Sequence, residues 1–436
     1  MKMGEQRMES RRKRIGVVAD DITGANDIGV MLAKNGLRVT VISQEDEPCL
    51  ADFAQNDALV INTGSRLDTP EQAAEKSARA AAFLRSAGCD MIHTKTCSVF
   101  RGNIGAAFDA VQDALEVRCS MVVAGFPRNG RTTRDGVHYL NGVPVAQTNF
   151  ANDPVTPIAF SRLDELIGRQ SQRKCAGFTW EWLDRSPAEQ QAHLAELKEQ
   201  AAYIIFDVRD QEDLVRIARL IAQEPNICGS SAICEELPKA WGMESPVIPC
   251  PVGGADGQGT LILAGSLTPQ TAAQVERLEQ RGIERLVMTS PKLLDAKTRA
   301  QEVERAAAFA ADRLCSGQDV LVYASRDTQG VREASAALGI SKIEAGRQIS
   351  LAFEAVASAV ETRTGLRRWV VAGGETSDAV SRGLGVRSMR IWQEIEAGVP
   401  VMTAATHQGQ ELLLVLKSGS FGTPDFLLKA VETLRG

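Results

Sequence analysis

Short apolar runs alternate with longer stretches of helical periodicity through the first 125 residues. Between the runs, apolar positions recur at helical spacing, as in the alanine-rich segment 70–87. The runs themselves have the length and the β-branched composition of buried parallel strands, and they lie at 15–19, 37–43, 57–63, 91–95 and 120–125. This alternation of strand and helix predicts a parallel, doubly wound sheet.

The same alternation returns in the second half of the chain. Apolar runs at 259–266, 369–372 and 413–417 each end in a turn that carries glycine and hydroxyl side chains. Residues 246–259 hold three prolines and four glycines, a composition that neither a helix nor a central strand tolerates. We therefore predict an α/β protein of two doubly wound domains, each around a mostly parallel sheet, with a cleft between them. The predicted boundaries are 1–14 for a disordered basic tail, 15–245 for the first domain, 246–259 for a linker and 260–436 for the second domain.

The overall composition narrows the classes of function. The chain has 436 residues, more than one ordinary hydrophobic core, and its net charge of −6 disfavours nucleic acid as the main partner. No apolar run is long enough for a signal peptide or a membrane span, so we expect a cytoplasmic protein that does not bind membranes. Nine scattered cysteines without a CxxC pair fit a reducing compartment and give no sign of a zinc site.

Two adjacent carboxylates, Asp20 and Asp21, follow the first apolar run and precede a helix. We expect them at the carboxyl end of the first strand, which is the edge where open α/β sheets bind ligands. Asp21 or Thr23 could instead only cap the helix. A cluster of cations at this edge would suit a small carboxylate or hydroxy acid, because Arg offers a bidentate fork and Lys a mobile point charge. Three cations fall at strand ends or just beyond them, namely Arg66, Lys95 and Arg101.

Glycine-rich corners in the second half suit the phosphates of a nucleotide. Gly373 and Gly374 follow a strand and would let a phosphate approach the backbone at a helix N-terminus. Glu375 or Asp378 could hold Mg²⁺ directly or through water. One helix N-terminus contributes about 0.3–1 kcal/mol per charge contact, so several such corners, Lys417 and a metal would have to act together.

Six short motifs along the chain form a specific combination. They are Ala-Asp-Asp-Ile-Thr-Gly-Ala at 19–25, Asn-Thr-Gly-Ser-Arg at 62–66, Lys-Thr-Cys-Ser-Val-Phe-Arg-Gly-Asn-Ile-Gly at 95–105, Gly-Ser-Leu-Thr at 265–268, Gly-Gly-Glu-Thr-Ser at 373–377 and Lys-Ser-Gly-Ser-Phe-Gly at 417–422. In this order they resemble the four-carbon acid sugar kinase family. The resemblance covers nearly the whole chain apart from the basic tail.

The resemblance implies an ATP-dependent enzyme that phosphorylates the terminal hydroxyl of a four-carbon sugar acid. The first domain would bind the sugar acid through Asp20, Asp21, Arg66, Lys95, Ser98 and Arg101. The second domain would bind ATP through Ser266, Gly373, Gly374, Glu375, Thr376 and Gly419. Either of the two tandem aspartates would orient or deprotonate the attacking hydroxyl. We expect D-threonate or D-erythronate as the acceptor, with 3-oxo-tetronate as the alternative, ATP and Mg²⁺ as cofactors, and a homodimer as a further possibility.

One motif departs from the common family pattern. Where many relatives carry Asp-Ser-Thr-Leu-Arg-Gly, this chain has Cys-Ser-Val-Phe-Arg-Gly at 97–102. The cysteine is similar to oxo-tetronate-type members, whereas Asp153-Pro154 is similar to threonate-type members. The residues therefore leave the choice of tetronate open.

Other interpretations of the residues stay open at this point. An NAD-dependent hydroxy-acid dehydrogenase is disfavoured because no Gly-x-Gly-x-x-Gly follows the first strand. A two-domain binding protein for small acids would need no ATP. Cys97 could act as a nucleophile if a base lay nearby. Residues 127–157 are rich in Gly, Pro, Asn and Thr with little periodicity, and we expect them to form a lid or a dimer arm.

Overall fold

A computed structural model describes residues 12–43, 56–152, 156–243, 257–265 and 268–436. Within these ranges, fifteen strands form one continuous sheet and three more form a small antiparallel sheet. The predicted class, an α/β protein with two doubly wound halves built on mostly parallel strands, is confirmed. The sequence did not reveal that the two halves share a single sheet.

The first half begins with the predicted strand and helix. Its described strands are β1 (Ile15–Ala19), β2 (Val39–Ser43), β3 (Ala58–Asn62), β4 (Met91–Lys95), β5 (Ser120–Val123), β6 (Arg131–Arg134), β7 (Val137–Leu140), β8 (Val143–Pro144), β9 (Cys175–Phe178), β10 (Tyr203–Phe206) and β11 (Asn226–Gly229). Its helices are α1 (Ile22–Ala33), α2 (Pro70–Ser86), α3 (Ile104–Leu115), α4 (Leu163–Gly168), α5 (Trp180–Leu183), α6 (Pro187–Gln200), α7 (Gln211–Leu220) and α8 (Ile233–Ala240). Strands β1 and β4 have the predicted bounds.

The second half adds the remaining strands and helices. Its described strands are β12 (Leu261–Ala264), β13 (Glu284–Met288), β14 (Val320–Ala324), β15 (Arg368–Ala372), β16 (Ser388–Glu396), β17 (Val399–Ala405) and β18 (Glu411–Lys417). Its helices are α9 (Pro269–Gln280), α10 (Ala296–Leu314), α11 (Thr328–Leu338), α12 (Lys342–Thr364), α13 (Gly374–Gly383) and α14 (Phe426–Arg435).

Several predictions fall on residues outside these ranges. They concern Ser266, Asp153-Pro154, most of the linker and the tail up to residue 11, so the domain boundaries stay a prediction. Within the part of the chain that the structure describes, no helix combines the length and the apolar composition that a membrane crossing requires.

In the first half, the sheet order is β2-β3-β1-β4-β11-β5-β10-β9, and all of these strands are parallel. The chain passes from β1 to β2 and β3 on one side and then to β4 on the other. The strand order therefore reverses between β1 and β4. A reversal of this kind opens a crevice at the carboxyl ends of the strands, where ligands bind in open α/β sheets.

The second half has the same design. Strands β13, β14, β12, β15 and β18 are parallel neighbours in that order, and the order reverses between β12 and β15. Strands β17 and β16 then follow, each antiparallel to its neighbours, and β16 pairs with β2 of the first half. The two parallel sheets are thus joined edge to edge through three antiparallel pairings.

Twist decides how the two crevices face each other. Because of the antiparallel pairings, the parallel strands of the two halves would run in opposite directions in a flat sheet. Six strand pairs separate β1 from β15, and each adds roughly 20–25° of twist, so the total rotation is on the order of 120–150°. Such a rotation offsets most of this reversal, so the carboxyl ends of both sets of strands point to the same side of the molecule.

Helix α1 lies where the two halves meet. Every residue of α1 except Thr23 is buried. Its apolar residues belong to one hydrophobic cluster that also contains Ile391, Met402 and Leu414 of the second half. The halves therefore share a core, and the position of the first crevice relative to the second is fixed by packing around this helix.

The segment predicted to be a lid or dimer arm contains a small antiparallel sheet, β6-β7-β8. Two-residue turns connect its strands, and both positions of each turn have positive φ, at Asp135 and Gly136 (51° and 75°) and at Asn141 and Gly142 (51° and 78°). Asp-Gly and Asn-Gly are the strongest short-range signals for such hairpins. The low periodicity of this segment therefore did not mean a lack of regular structure, and its role as a lid or dimer arm stays a prediction.

Candidate active site

Asp20, Asp21 and Arg66 form one ion-paired cluster at the carboxyl end of β1. Arg66 donates from Nε to Asp20 Oδ2 at 2.8 Å and from Nη2 to Asp20 Oδ1 at 2.7 Å, and its Nη1 donates to Asp21 Oδ2. Asp21 also accepts from the Gly24 backbone N–H at 2.7 Å and from Thr23 Oγ1 at 3.0 Å. Asp21 is therefore the N-cap of α1 and also a member of this ion-paired cluster, so the capping interpretation is confirmed and its role in ligand binding stays a prediction.

The electrostatics of this cluster keep its charges in place. Burial alone would raise the pKa of Asp21, but the nearby charges of Arg66 and Lys95 outweigh it and hold the pKa below its usual value. Burial would likewise lower the pKa of Arg66, but Asp20 and Asp21 raise it well above the ordinary value. The cluster is thus a fixed arrangement of one guanidinium and two carboxylates.

Lys95 enters the same crevice from the end of β4. Its side chain is only 3% exposed, and Nζ donates to the Thr96 carbonyl oxygen at 2.9 Å and lies 3.5 Å from Asp27 Oδ2. Asp27, on α1, also accepts from Ser231 Oγ at 2.5 Å. Burial raises the pKa of Asp27 even though Lys95 opposes the shift. The sequence did not reveal Asp27 as a site residue. Asp27 holds Lys95, which was predicted as one, in position.

Cys97 and Arg101 continue the site beyond β4. Arg101 Nε lies 3.5 Å from Cys97 Sγ, and its guanidinium lies 5.3 Å from the centre of the Phe150 ring. Burial raises the pKa of the Cys97 thiol, but Arg101 and Arg66 outweigh it and lower the pKa below its ordinary value. The carbonyl oxygen of Ser98 lies 2.8 Å from His138 Nε2 on β7, so the small sheet β6-β7-β8 packs directly against this loop.

Arg131 is a fourth cation that the sequence analysis missed. It begins β6, and its Nη1 donates to the Asn129 carbonyl oxygen while its buried Nε has no hydrogen-bond partner among the described residues. Burial lowers its pKa, although the nearby charges of Cys97 and Asp27 oppose the shift, so Arg131 lies near these two residues. The Asp-Gly and Asn-Gly turns that build its hairpin were the signal that could have revealed it.

The glycine corners of the second half meet at the carboxyl ends of β12, β15 and β18. Gly373 has φ 128° and ψ 133° and donates from its N–H to the Lys417 carbonyl oxygen at 2.9 Å. Gly265 follows β12, and a Cβ built on it would lie 2.2 Å from Thr376 Oγ1, so only glycine fits there. Gly374 and Glu375 begin α13, and burial raises the pKa of Glu375.

Lys417, at the end of β18, stabilises the glycine-bearing loop that follows this strand from the protein interior. Its side chain is fully buried, and Nζ donates to Thr271 Oγ1 at 3.0 Å and to the Ser418 carbonyl oxygen at 2.9 Å. Burial lowers its pKa to about 7. The carbonyl oxygen of Gly419 accepts from Thr268 Oγ1 at 2.6 Å and from Thr271 Oγ1 at 2.9 Å. These contacts fix the backbone of the loop around Gly419.

The two crevices meet at Asn62 and Asp378. Asn62 Nδ2, at the end of β3, donates to Asp378 Oδ1 on α13 at 3.4 Å. Burial and the nearby charge of Asp21 raise the pKa of Asp378 to about 7, although Arg382 and Arg66 oppose the shift. The acidic and cationic cluster of the first half and the glycine corner of the second half therefore line one cleft, as the sequence analysis predicted.

Comparisons with known proteins agree with this division of the chain. Residues 15–237 match the family model described as a sugar-binding N-terminal domain, and residues 261–427 match the one described as a nucleotide-binding C-terminal domain. The 3-oxo-tetronate kinase of Cupriavidus necator is 33% identical over 438 residues, which cover 98% of each chain. The chain belongs to the four-carbon acid sugar kinase family. The expected class of enzyme, a phosphotransferase with an alcohol group as acceptor, is thereby confirmed.

Other similar proteins match equally far along the chain. The 3-oxo-tetronate kinase of Burkholderia multivorans is 33% identical over 435 residues, which cover 98% of each chain. A solved structure from Salmonella typhimurium LT2, described as a tRNA synthase, has a TM-score of 0.82 at 26% identity and covers 96% of this chain. A Haemophilus influenzae protein described by the family DUF1537 has a TM-score of 0.74 at 27% identity.

Proposed function

We propose that this kinase transfers the γ-phosphoryl group of ATP to the terminal hydroxyl of a four-carbon sugar acid. The observation that carries the proposal is the contact between Asn62 and Asp378, because it brings the predicted acid site and the predicted nucleotide site to one cleft. The relatives named above are called 3-oxo-tetronate kinases, so we propose 3-oxo-tetronate as the first acceptor to test. D-threonate and D-erythronate are the other two acceptors to test.

We assign recognition of the acid to the first half of the cleft. Lys95, Arg101 and Arg131 would supply the positive potential for the carboxylate, since a few converging cations reverse the local field of an acidic protein. Asp20 and Asp21 would accept hydrogen bonds from the hydroxyl groups of the substrate. The guanidinium of Arg66 already serves these two carboxylates and would hold them ionised and correctly oriented.

We assign ATP to the corners of the second half. The N-terminus of α13 at Gly373 to Thr376 and the loop at Gly419 would direct backbone N–H groups at the phosphates. Ser266 stays among the residues predicted to bind ATP. Among the described residues, no group of three or more His, Cys, Asp or Glu could hold a metal alone. Mg²⁺ in kinases is bound by one or two carboxylates and the substrate phosphates, so a site completed by ATP fits Glu375. Bound there, Mg²⁺ would neutralise developing phosphate charge.

Phosphoryl transfer asks mainly for positioning and charge stabilisation from the protein. The buried helix α1 and the shared core hold the two binding regions in contact, which would keep water from competing with the sugar hydroxyl. Because the reaction consumes ATP, we propose that it takes place in the cytoplasm.

Incubation of the purified protein with ATP, Mg²⁺ and a panel of tetronates tests the proposal directly. We expect ADP release that depends on the acid, with 3-oxo-tetronate giving the highest kcat/KM and with a phosphomonoester at C4 in the ³¹P and ¹³C spectra of the product. A control reaction without the sugar acid measures the hydrolysis of ATP by water. Absence of acid-dependent ADP release with every tetronate would contradict the proposal, and NAD reduction by any of them would favour a dehydrogenase.

Cys97 gives a second test, because its thiol lies within the proposed acid site. Alkylation at pH 7 is expected to be much faster at Cys97 than at the buried Cys119, whose pKa burial raises to about 11, because the thiolate is the reactive form. A saturating tetronate should protect Cys97. Site-resolved mass spectrometry with iodoacetamide measures both rates.

The same residue also tests the nucleophile hypothesis. The charged groups that lower the pKa of Cys97 are the guanidinium groups of Arg101 and Arg66, which cannot accept its proton. We therefore expect Cys97→Ser to keep kcat within about threefold, far less than the 10²–10⁴-fold loss typical of a missing proton-transfer group. A complete loss of turnover with intact binding of both substrates would instead support a covalent role, and alkylation unaffected by tetronate would place the acid elsewhere.

A further inference from the structure

Asp378 occupies a special place on α13. It lies four residues after Gly374, so the two are on the same face of the helix, one turn apart. The Cα–Cβ bonds of a helix tilt toward its N-terminus, and that end of α13 is the proposed phosphate site. The carboxylate of Asp378 is therefore directed along the helix face that leads to this proposed phosphate site.

The groups around Asp378 come from both halves of the chain. Asn62 donates to its Oδ1 at 3.4 Å, Asp21 and Arg66 act on it across the cleft, and Arg382 acts from its own helix. Asp378 is thus an acidic group of the nucleotide-binding half that faces the proposed acid site.

The tandem aspartates are less suited to accept a proton than Asp378 is. Both carboxylate oxygens of Asp20 accept from Arg66, and both oxygens of Asp21 accept hydrogen bonds within the cluster. Hydrogen bonds to the charged form weaken a carboxylate as a base. Asp378 differs, because burial and Asp21 raise its pKa to about 7, which is the range in which a general base works best at neutral pH.

We propose that Asp378 is the general base of the transfer reaction, a role that rests on the proposed function. As the terminal hydroxyl oxygen of the sugar acid forms its bond to the γ-phosphorus, its proton moves to the Asp378 carboxylate. The bond between the γ-phosphorus and the β,γ-bridging oxygen breaks, and ADP leaves with those electrons. The proton is released to solvent after the phosphorylated acid departs. Asn62 orients the carboxylate, and Asp20 and Asp21 bind the substrate without taking its proton.

The pH profile of the wild-type enzyme and of Asp378→Asn tests this role. In the wild type, kcat/KM should rise with pH through about 7, because the base must be deprotonated. Asp378→Asn should lower kcat by about 100-fold or more, leave the KM values for ATP and the acid within about threefold, and abolish the rise with pH. Asp378→Glu, which keeps a carboxylate, should recover part of the lost kcat and retain the rise with pH.

Controls separate this role from a structural one and from metal binding. Asp312→Asn, on the exposed face of α10 with its side chain 81% exposed, should leave kcat and the pH profile unchanged. Because the pKa of Asp378 is raised in the folded protein, its charged carboxylate destabilises the folded state at pH 8. Replacing it by the neutral Asn should therefore keep or raise the Tm. A fall in Tm that accounts for the lost activity would overturn the proposal.

Two further outcomes would also overturn it. One is a kcat for Asp378→Asn within threefold of the wild type. The other is a kcat that returns to the wild-type value at saturating Mg²⁺ or Mn²⁺, which would identify a metal ligand. If the wild-type protein phosphorylates no sugar acid, the proposed function fails and this inference fails with it, whereas an active wild type with an equally active Asp378→Asn refutes the inference alone.

Discussion

Arg66→Ala is expected to lower kcat/KM for the sugar acid by at least about 1,000-fold, which corresponds to about 4 kcal/mol of transition-state stabilisation. The physical reason is that one guanidinium serves both carboxylates of the tandem pair. The side chains of Arg66, Asp20 and Asp21 are only 15%, 13% and 17% exposed. Removing Arg66 would therefore leave two carboxylates without an ion-pair partner at a place that is shielded from bulk water. The free energy of unfolding should therefore also fall, by about 3 kcal/mol. Steady-state kinetics and urea unfolding measure the two effects.

The loss of stability and the loss of activity can be separated. Adding Asp20→Asn and Asp21→Asn to Arg66→Ala should recover much of the stability, since no unpaired charge remains, but none of the activity. Arg66→Lys should stay poorly active because an ammonium group cannot make the bidentate contact. The matched control is Arg162→Ala, which breaks an exposed pair with Asp164 and should change stability by less than about 1 kcal/mol. Wild-type turnover in Arg66→Ala would refute the importance of the cluster.

Gly373→Ala is expected to weaken ATP binding by at least about 100-fold, or about 2.7 kcal/mol, while the sugar acid still binds. Gly373 has φ 128°, a conformation that side chains with a Cβ avoid at a penalty of about 1–3 kcal/mol. The chain relieves this strain by rotating the backbone, and that rotation turns the N-terminal N–H groups of α13 away from the phosphates. Calorimetric titration with a non-hydrolysable ATP analogue and, separately, with the acid measures the two affinities.

A glycine with positive φ outside the cleft provides the control for this experiment. Gly282 has φ 74° in the turn between α9 and β13, and nothing lies within 4 Å of a Cβ built on it. Gly282→Ala should lower stability by about 1 kcal/mol and leave ATP affinity unchanged. If both variants lose ATP affinity equally, the effect reflects general destabilisation; if neither does, the corner at Gly373 does not bind the nucleotide.

The strands that carry the site could be predicted because their residues specify them locally. Runs of β-branched and other apolar residues bounded by turns gave β1 and β4 with the bounds that the structure has. Once the strands are parallel, their carboxyl ends lie at one edge, so Asp20, Asp21 and Arg66 were expected to be neighbours, and they form an ion-paired cluster. The roles of these residues in binding and catalysis stay predictions.

Segments whose structure depends on a distant partner were predicted less well. The sequence predicts a helix from Ile158 to Ile167 after the turn at Asn152-Asp153-Pro154, but α4 begins at Leu163. The preceding residues run beside the small antiparallel sheet, where Arg162 pairs with Val137 and the Ser161 carbonyl oxygen accepts from the His138 N–H at 2.7 Å. Because this pairing satisfies the backbone of the segment, it replaces the first turn of the expected helix.

The sequence by itself determined the α/β class, the carboxylate-bearing motif of the first half, the glycine-bearing motifs of the second half, and the family. Local propensity and motif order are sufficient for these, because each depends on residues close together in the chain. Only the tertiary structure decided that Asn62 and Asp378, 316 residues apart, are in contact, and that the two parallel sheets are one. That contact depends on the pairing of β2 with β16 and on the twist accumulated across the joined sheet, and neither quantity is encoded in any local stretch of residues.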